Sequence, residues 1–273
     1  MKKAITTTLI TRVLGQNKQS TQDHVVVEEP LEISLSIPAA QPKIYDKPVS
    51  ITMRTPGQDK ELAAGFLYTE GLLSHSDQID EILLADNKVH IVLQKDQKLD
   101  LTQLQRNFYT TSSCGVCGRS SISALKTTIP EFKQPLILRV SGDIIKTLPT
   151  LLRSRQELFE STGGIHAAAL FSLQGELITL REDVGRHNAL DKLIGHYFLN
   201  DSLPLADKIL LLSGRASFEL IQKAGMAGVK LVLAVGAPSS LAVEMAEELG
   251  ITLIGFLKEK SFNVYNGGER VIV

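Results

Sequence analysis

Cys114 and Cys117 are the only two cysteines in the chain, and they stand together in TTSSCGVCGRSS, residues 110–121. Three chemistries use such a pair. A structural zinc site needs four ligands, and this spacing supplies two. None of the six histidines lies within twenty residues of Cys114, so no metal is expected. A dithiol couple is a second reading, since the spacing permits a disulfide and lowers a thiol pKa. Thioredoxin-like pairs, however, sit in a βαβ context with an apolar flank, whereas this loop is rich in serine and glycine. The third reading is a sulfur nucleophile. Gly115 and Gly118 open the loop, and Arg119 and the helix expected from Ser120 or Ser121 favour a thiolate. Such a thiolate suits sulfur transfer through a persulfide.

A second group follows three apolar runs. Ser213, Gly214 and Arg215 follow ILLL; Gly236 to Ser240 follow LVLAV; Gly255 and Phe256 follow TLI. In an open parallel sheet these positions lie at strand carboxyl ends, where ligands bind. Free amides at helix starts, beside Arg215, suit a phosphate or pyrophosphate. The competing reading is that glycine and serine only make tight turns. No GxxxxGK[ST] is present, which argues against a P-loop nucleotidase. His166 follows a Gly-Gly turn, and Arg181, Glu182, Asp183, Arg186, His187 and Asp191 crowd into eleven residues. That cluster could orient a ligand or move protons, or it could be a solvated helix start whose acids face the positive helix end.

The elements that position these groups follow from periodicity. Residues 24–53 read as short strands broken by Pro30, Pro38, Pro42 and Pro48. A helix capped by Asp59 and ended by Gly71 follows, then a strand pair around Asp86-Asn87. HAAALFSLQGELITL predicts a hairpin turning at Gln174-Gly175, and REDVGRHNALDKLIGHYFL predicts a helix. Beyond it, KILLLSG, KLVLAVG and ITLIGFL alternate with two helical patterns. That alternation predicts an α/β fold with a buried parallel sheet, preceded by an α+β N-terminal part. The expected division is 1–145, carrying the cysteine loop, and 146–273.

Composition limits the function. The net charge of −1 offers no broad cationic field for nucleic acid. No apolar run approaches the ~20 residues of a membrane span. The start, MKKAITTTLITRVLGQ, lacks an apolar h-region, so no signal peptide is read and a cytoplasmic protein is expected. There thiols stay reduced.

The stretches RTPGQDKELAAGFLYTEG, CGVCG, TGGIHAAA, REDVGRHNALDK, SGRASFELIQKA, APSSLAVEMAEELG and TLIGF resemble, in order from about residue 50 to the end, the formate dehydrogenase accessory sulfurtransferase family. The resemblance implies a sulfurtransferase that takes sulfur from a cysteine desulfurase. It passes that sulfur to the molybdenum bis-guanine-dinucleotide cofactor, bound as substrate, for formate dehydrogenase. It implies Cys114 as persulfide carrier, Cys117 as its assistant, and a homodimer. It further implies a cytidine deaminase-like second half, a mixed sheet flanked by helices. Zinc deaminases need H-x-E and P-C-x-x-C; here Ala237-Pro238-Ser239-Ser240 puts serine where cysteine would bind, so the zinc site is expected to be absent. The cofactor-contacting stretch implied is Phe256, Leu257, Lys258, Glu259, Lys260 and Ser261, with Ser213, Gly214, Arg215, His166 and His187 alongside. GDP or GMP should then mimic half of the cofactor. Two other functions use the same residues differently: a cofactor chaperone needing neither cysteine, and a thiol-disulfide oxidoreductase needing both equally.

Overall fold

The computed structural model describes residues 3–38, 43–95, 97, 129–130, 132 and 138–273. Cys114, Cys117, Arg119 and the helix expected from Ser120 lie outside the described residues. The N-terminal part opens with an antiparallel ribbon, β1 (Ile5–Leu14) and β2 (Asn17–Val26), that the sequence reading did not anticipate. A four-stranded sheet follows, built from β3 (Glu29–Ile37), β4 (Ile44–Arg54), β5 (Ile79–Ala85) and β6 (Lys88–Leu93) in the order β4-β3-β6-β5. Pro38 directly follows the end of β3 as expected, Pro42 lies outside the described residues, and the other two prolines do not break the strands. Pro30 lies inside β3, and Pro48 lies in the edge strand β4, where the register slips between Ile33 and Ser34. An edge strand at a bulge has no ladder bond for proline to remove.

Helix α1 (Asp59–Thr69) crosses this sheet. Asp59 is its first residue rather than its cap; Gln58 holds that place with a left-handed φ of 53°. The Asp59 carboxylate instead accepts two bonds from the buried Arg54, Nε at 2.9 Å and Nη2 at 3.0 Å. Gly71, with φ +74°, follows the helix end as expected.

The second part contains β7 (Val140–Ser141), α2 (Gly142–Arg153), α3 (Glu157–Thr162), β8 (His166–Phe171), β9 (Leu177–Asp183), α4 (Arg186–Leu199), β10 (Ile209–Leu212), α5 (Phe218–Met226), β11 (Leu231–Ala234), α6 (Ser240–Glu248), β12 (Thr252–Gly255), β13 (Asn263–Asn266) and β14 (Val271–Ile272). Its main sheet runs β13-β12-β11-β10-β8-β9. β10 pairs with β11 and β11 with β12 in parallel; the other ladders are antiparallel. The sheet is therefore mixed, and every residue of β10, β11 and β12 is buried.

Alternation along those strands feeds two cores. Leu210, Leu212, Val232, Ala234 and Leu253 pack with Leu190 and Ile194 of α4, Ile221 of α5 and Met245 of α6. Ile209, Leu211, Leu231, Leu233 and Ile254 pack with Ile145, Leu148 and Leu152 of α2. Helices thus cover both faces. One boundary differs from the sequence reading: Arg181–Asp183 complete β9 instead of opening α4. α2 starts at Gly142, capped by Ser141 Oγ.

The first core also takes in Leu31, Ile33, Leu35, Val89 and Ile91 of the N-terminal sheet. α1 joins the two parts by crossing α4 with glycine against backbone. A Cβ on Gly65 would run into the Asp191 carbonyl, and one on Gly195 into the Glu61 carbonyl. Two buried ammonium groups lock the crossing. Lys223 Nζ reaches Asp191 at 3.0 Å and Thr69 Oγ1 at 2.8 Å. Lys192 Nζ reaches Asp183 at 2.7 Å and donates to the Thr55 carbonyl at 2.9 Å. No described helix is long and apolar enough to cross a membrane.

Candidate functional site

β9, β10, β11 and β12 point the same way, so the loops that follow them emerge at one edge of the sheet. Those after β10, β11 and β12 are bonded into a single rim. Gly236 N donates to Gly214 O at 2.9 Å, Phe256 N to Gly236 O at 3.0 Å, and Ser239 N to Ala216 O at 3.0 Å. Two glycines make the approach physically feasible. A Cβ on Gly236 would meet Arg215 Cγ at 2.9 Å, and one on Gly255 would meet Pro238 Cδ at 2.8 Å. The same edge carries the N-termini of α4, α5 and α6. Their helix-start amides make it an electropositive shelf, with the Ala242 amide of α6 donating to Ser239 Oγ at 3.2 Å.

Ser213 Oγ accepts the Ala167 amide at 2.8 Å, which fixes the first loop to β8. Arg215 is exposed over Gly236. Phe256 stands on the rim, 44% exposed with φ 51°. Lys258, Glu259, Lys260 and Ser261 are exposed in a turn closed by Lys258 N on Ser261 O at 2.9 Å. The Leu257 side chain points the other way, into the core beneath α2, and Glu259 accepts from Thr150 Oγ1 of α2 at 2.8 Å.

His166 begins β8, level with Asp183 across the ladder and next to Gly214. Burial lowers its pKa first, and the charges of Arg186 and His187 lower it further, while Asp183 opposes them. The shift favours the neutral imidazole, which has one donor and one acceptor nitrogen to offer a ligand. His187, in the first turn of α4, pairs through Nε2 with Glu219 Oε2 of α5 at 2.8 Å; Ser217 Oγ lies 3.4 Å from the same nitrogen. Among the described residues the other Glu219 oxygen is buried with no hydrogen-bond partner.

The charged run at 181–191 is divided by the fold. Arg181 forms a two-bond pair with Glu61, Nε at 2.6 Å and Nη2 at 2.9 Å. Glu182 accepts the Leu158 and Phe159 amides at the start of α3, and burial raises its pKa against their pull. Asp183 is fully buried; besides Lys192 it accepts from Thr55 N, Gly185 N and Asn188 Nδ2. Asp191 is taken by Lys223. Arg186 and His187 remain of the six, both partly exposed.

A cavity of about 460 Å³ opens beside His166 and Ser213, bounded by Arg153, Gln156, Phe159, the Gly163-Gly164 turn and Val235. Arg153 lies over the Phe159 ring, 3.6 Å from its centroid. Its size is that of a small-molecule site. Sequence reasoning missed Glu219, Arg153, Gln156 and Phe159; Glu219 stands in SGRASFELIQKA but was not singled out there, and the other three stand in no recognisable motif. Among the described residues no three metal-ligating side chains converge.

The FdhD/NarQ family model matches residues 26–272. A "Sulfur carrier protein FdhD" from Streptomyces coelicolor is 48% identical over 261 residues, covering 91% of this chain and 89% of that protein. One of the same name from Sulfolobus acidocaldarius is 42% identical and covers 96% of both. A crystal structure from Desulfotalea psychrophila, described as a formate dehydrogenase accessory protein, superposes with a TM-score of 0.76 at 22% identity over 99% of this chain and all of that one. That likeness speaks for the fold, and it spans both halves. With the family model matched over residues 26–272 and similarity to these relatives along nearly its whole length, the chain belongs to the FdhD/NarQ family.

Proposed function

We propose that this protein is a cytoplasmic sulfur carrier that takes sulfur as a persulfide on Cys114 from a cysteine desulfurase. It delivers that sulfur to the molybdenum bis-guanine-dinucleotide cofactor, its substrate, for formate dehydrogenase. The observation that carries this reading is the family membership, since relatives 40–48% identical are named sulfur carrier proteins. The bonded rim of three loops supports it, because it offers a nucleotide diphosphate both helix-start amides and cations.

The chain's own groups divide the work. Arg215, Lys258 and Lys260 hold phosphate; Ser213, Gly214 and His166 line the entrance to the cavity; Phe256 offers a ring on the rim. Glu259 and Ser261 shape the turn that carries the lysines. The α/β half is a cytidine deaminase-like scaffold whose nucleotide-binding edge is kept. His187 meets Ser217 and Glu219 there, a set without a cysteine to bind zinc. The transfer step balances without an added oxidant. The Cys114 thiolate attacks the terminal sulfur of the donor persulfide, a new S–S bond forms, and the donor leaves as a thiolate. Cys117 assists as the neighbouring thiol.

The test is mass spectrometry of the protein after incubation with a desulfurase and cysteine. One added sulfur on the peptide containing Cys114, lost in Cys114→Ala, is the expected result. An unmodified peptide beside an active donor would overturn the carrier reading in favour of a cofactor chaperone.

A further inference from the structure

Ser34, Ser36, His90 and Asp46 form a second group of chemically able side chains, in the N-terminal sheet rather than on the rim. The strand period brings them together. Leu31, Ile33, Leu35 and Ile37 of β3 turn into the core, so Glu32, Ser34 and Ser36 stand on the opposite face. β6 runs parallel to β3 with His90 level with Ser34. Its core residues are Val89 and Ile91, which puts Lys88 and His90 on that same opposite face. β4 adds Asp46. The ladder with β3 slips between Leu35 and Ile37, so Tyr45 and Asp46 together oppose Ser36. Such a bulge re-aims a side chain, and Asp46 meets both His90 and Lys88.

His90 lies between the two serines. Its Nδ1 is 2.8 Å from Ser34 Oγ and 3.2 Å from Asp46 Oδ1, and its Nε2 is 2.9 Å from Ser36 Oγ. The carboxylate beside Nδ1 favours a proton on that nitrogen. Nδ1 then donates to Ser34 Oγ, and Nε2 accepts from the Ser36 hydroxyl. Lys88 Nζ, 2.7 Å from Asp46 and 2.9 Å from Glu32, keeps the carboxylate in place. Hydrogen bonds from Lys88 and then Ser34 hold the Asp46 carboxyl below its usual range. A hydroxyl on one imidazole nitrogen, with the other nitrogen oriented by a fixed partner, is the arrangement that activates a serine, and it recurs on unrelated folds. The Asp46 side chain is 55% exposed and that of His90 16%, while Ser36 is 9% exposed. A reagent reaching Ser36 must therefore be small.

We propose that Ser36 is a nucleophile, with His90 as its general base, that accepts a small acyl group from an activated ester. Ser36 Oγ attacks the ester carbonyl carbon while His90 Nε2 takes the hydroxyl proton. The bond from carbon to the leaving oxygen breaks, and the alcohol departs with the proton from His90. The acyl group stays on Ser36 Oγ until water, deprotonated by His90, releases it as the acid. No oxidant or reductant enters. Asp46 and Ser34 are positioning residues that act through His90. This site uses none of the sulfur chemistry and stands or falls without it.

Incubating the full chain with p-nitrophenyl acetate tests it, read by nitrophenol release and by mass spectrometry of the Ser36 peptide. Mapping the acetyl group to Ser36 separates it from acetyl on thiols and lysines. Acetyl-Ser36 is expected in the wild type and absent in Ser36→Ala. His90→Gln should slow its formation by about 100-fold or more, the usual share of a general base, with a melting curve verifying the fold. In the wild type, which needs no variant, the rate of Ser36 acetylation should follow the NMR titration of His90. The charges facing that ring are Asp46 and Lys88, with Glu32 behind Lys88. No acetyl on Ser36 overturns the proposal. So does an unchanged rate in a folded His90→Gln, or a wild-type rate that ignores the His90 titration.

Discussion

Arg215 and Lys258 offer a phosphate two different cations, a planar fork and a point charge. If both touch the diphosphate, removing either weakens GDP binding about tenfold or more, because each charge-assisted bond is worth ~1.5–3 kcal/mol. Calorimetric titration of Arg215→Ala and Lys258→Ala would read this, and an unchanged affinity would take that residue out of the site. His166 yields a pH prediction. Its pKa lies below the ordinary 6.5 in the folded protein, chiefly through burial. The unfolded chain therefore binds the extra proton first, so stability falls as pH drops below about 6.5. NMR titration should place the His166 midpoint under that value, and a bound diphosphate should raise it. Lys192 and Asp183 make a different case, a buried pair whose exposures are 0% each. Lys192→Met strands the carboxylate and should cost ~3–5 kcal/mol in urea unfolding.

At the scale of elements, the α1–α4 crossing is set by two missing side chains. Gly195→Ala drives a methyl group into the Glu61 carbonyl and should destabilise by about 3 kcal/mol or more, as overpacking does. Neither helix can give way, since Lys223 ties α5 to both. The elements also explain what the sequence disclosed. β10, β11 and β12 were legible because a strand buried on both faces is an unbroken apolar run, and the turns after them were legible with it. The β1–β2 ribbon was not, since threonines and other polar residues interrupt the apolar ones on both of its faces. Pro48 misled because an edge position costs nothing there. The run at 181–191 looked like one functional cluster. Its true partners, Glu61, Thr55 and Lys223, lie on other elements, with Thr55 and Glu61 more than a hundred residues away in sequence, and no local spacing shows them. Of the site, the rim loops and both histidines were readable; the cavity wall from Arg153, Gln156 and Phe159 was not.

For the whole molecule, carrier and binding functions should separate. Cys114→Ala is expected to abolish formate dehydrogenase activation while leaving GDP affinity unchanged, and Cys117→Ala to be milder; assays of extracts complemented with each variant would show it. Loss of GDP binding in Cys114→Ala would mean that the cysteine acts on the fold of the site instead. Such measurements need the protein held without obstruction, and the parallel pairing of β14 with β7 shows which end to avoid. It fixes Val271 and Ile272 beside Val140 and Ser141, just before α2 begins. Gly142, the first residue of α2, faces both the Ile272 carbonyl and the Phe262 ring. A sensor surface or fluorophore on the exposed Val273 would therefore crowd the turn of Lys258 to Ser261, whereas attachment at the first residues would load the ribbon instead.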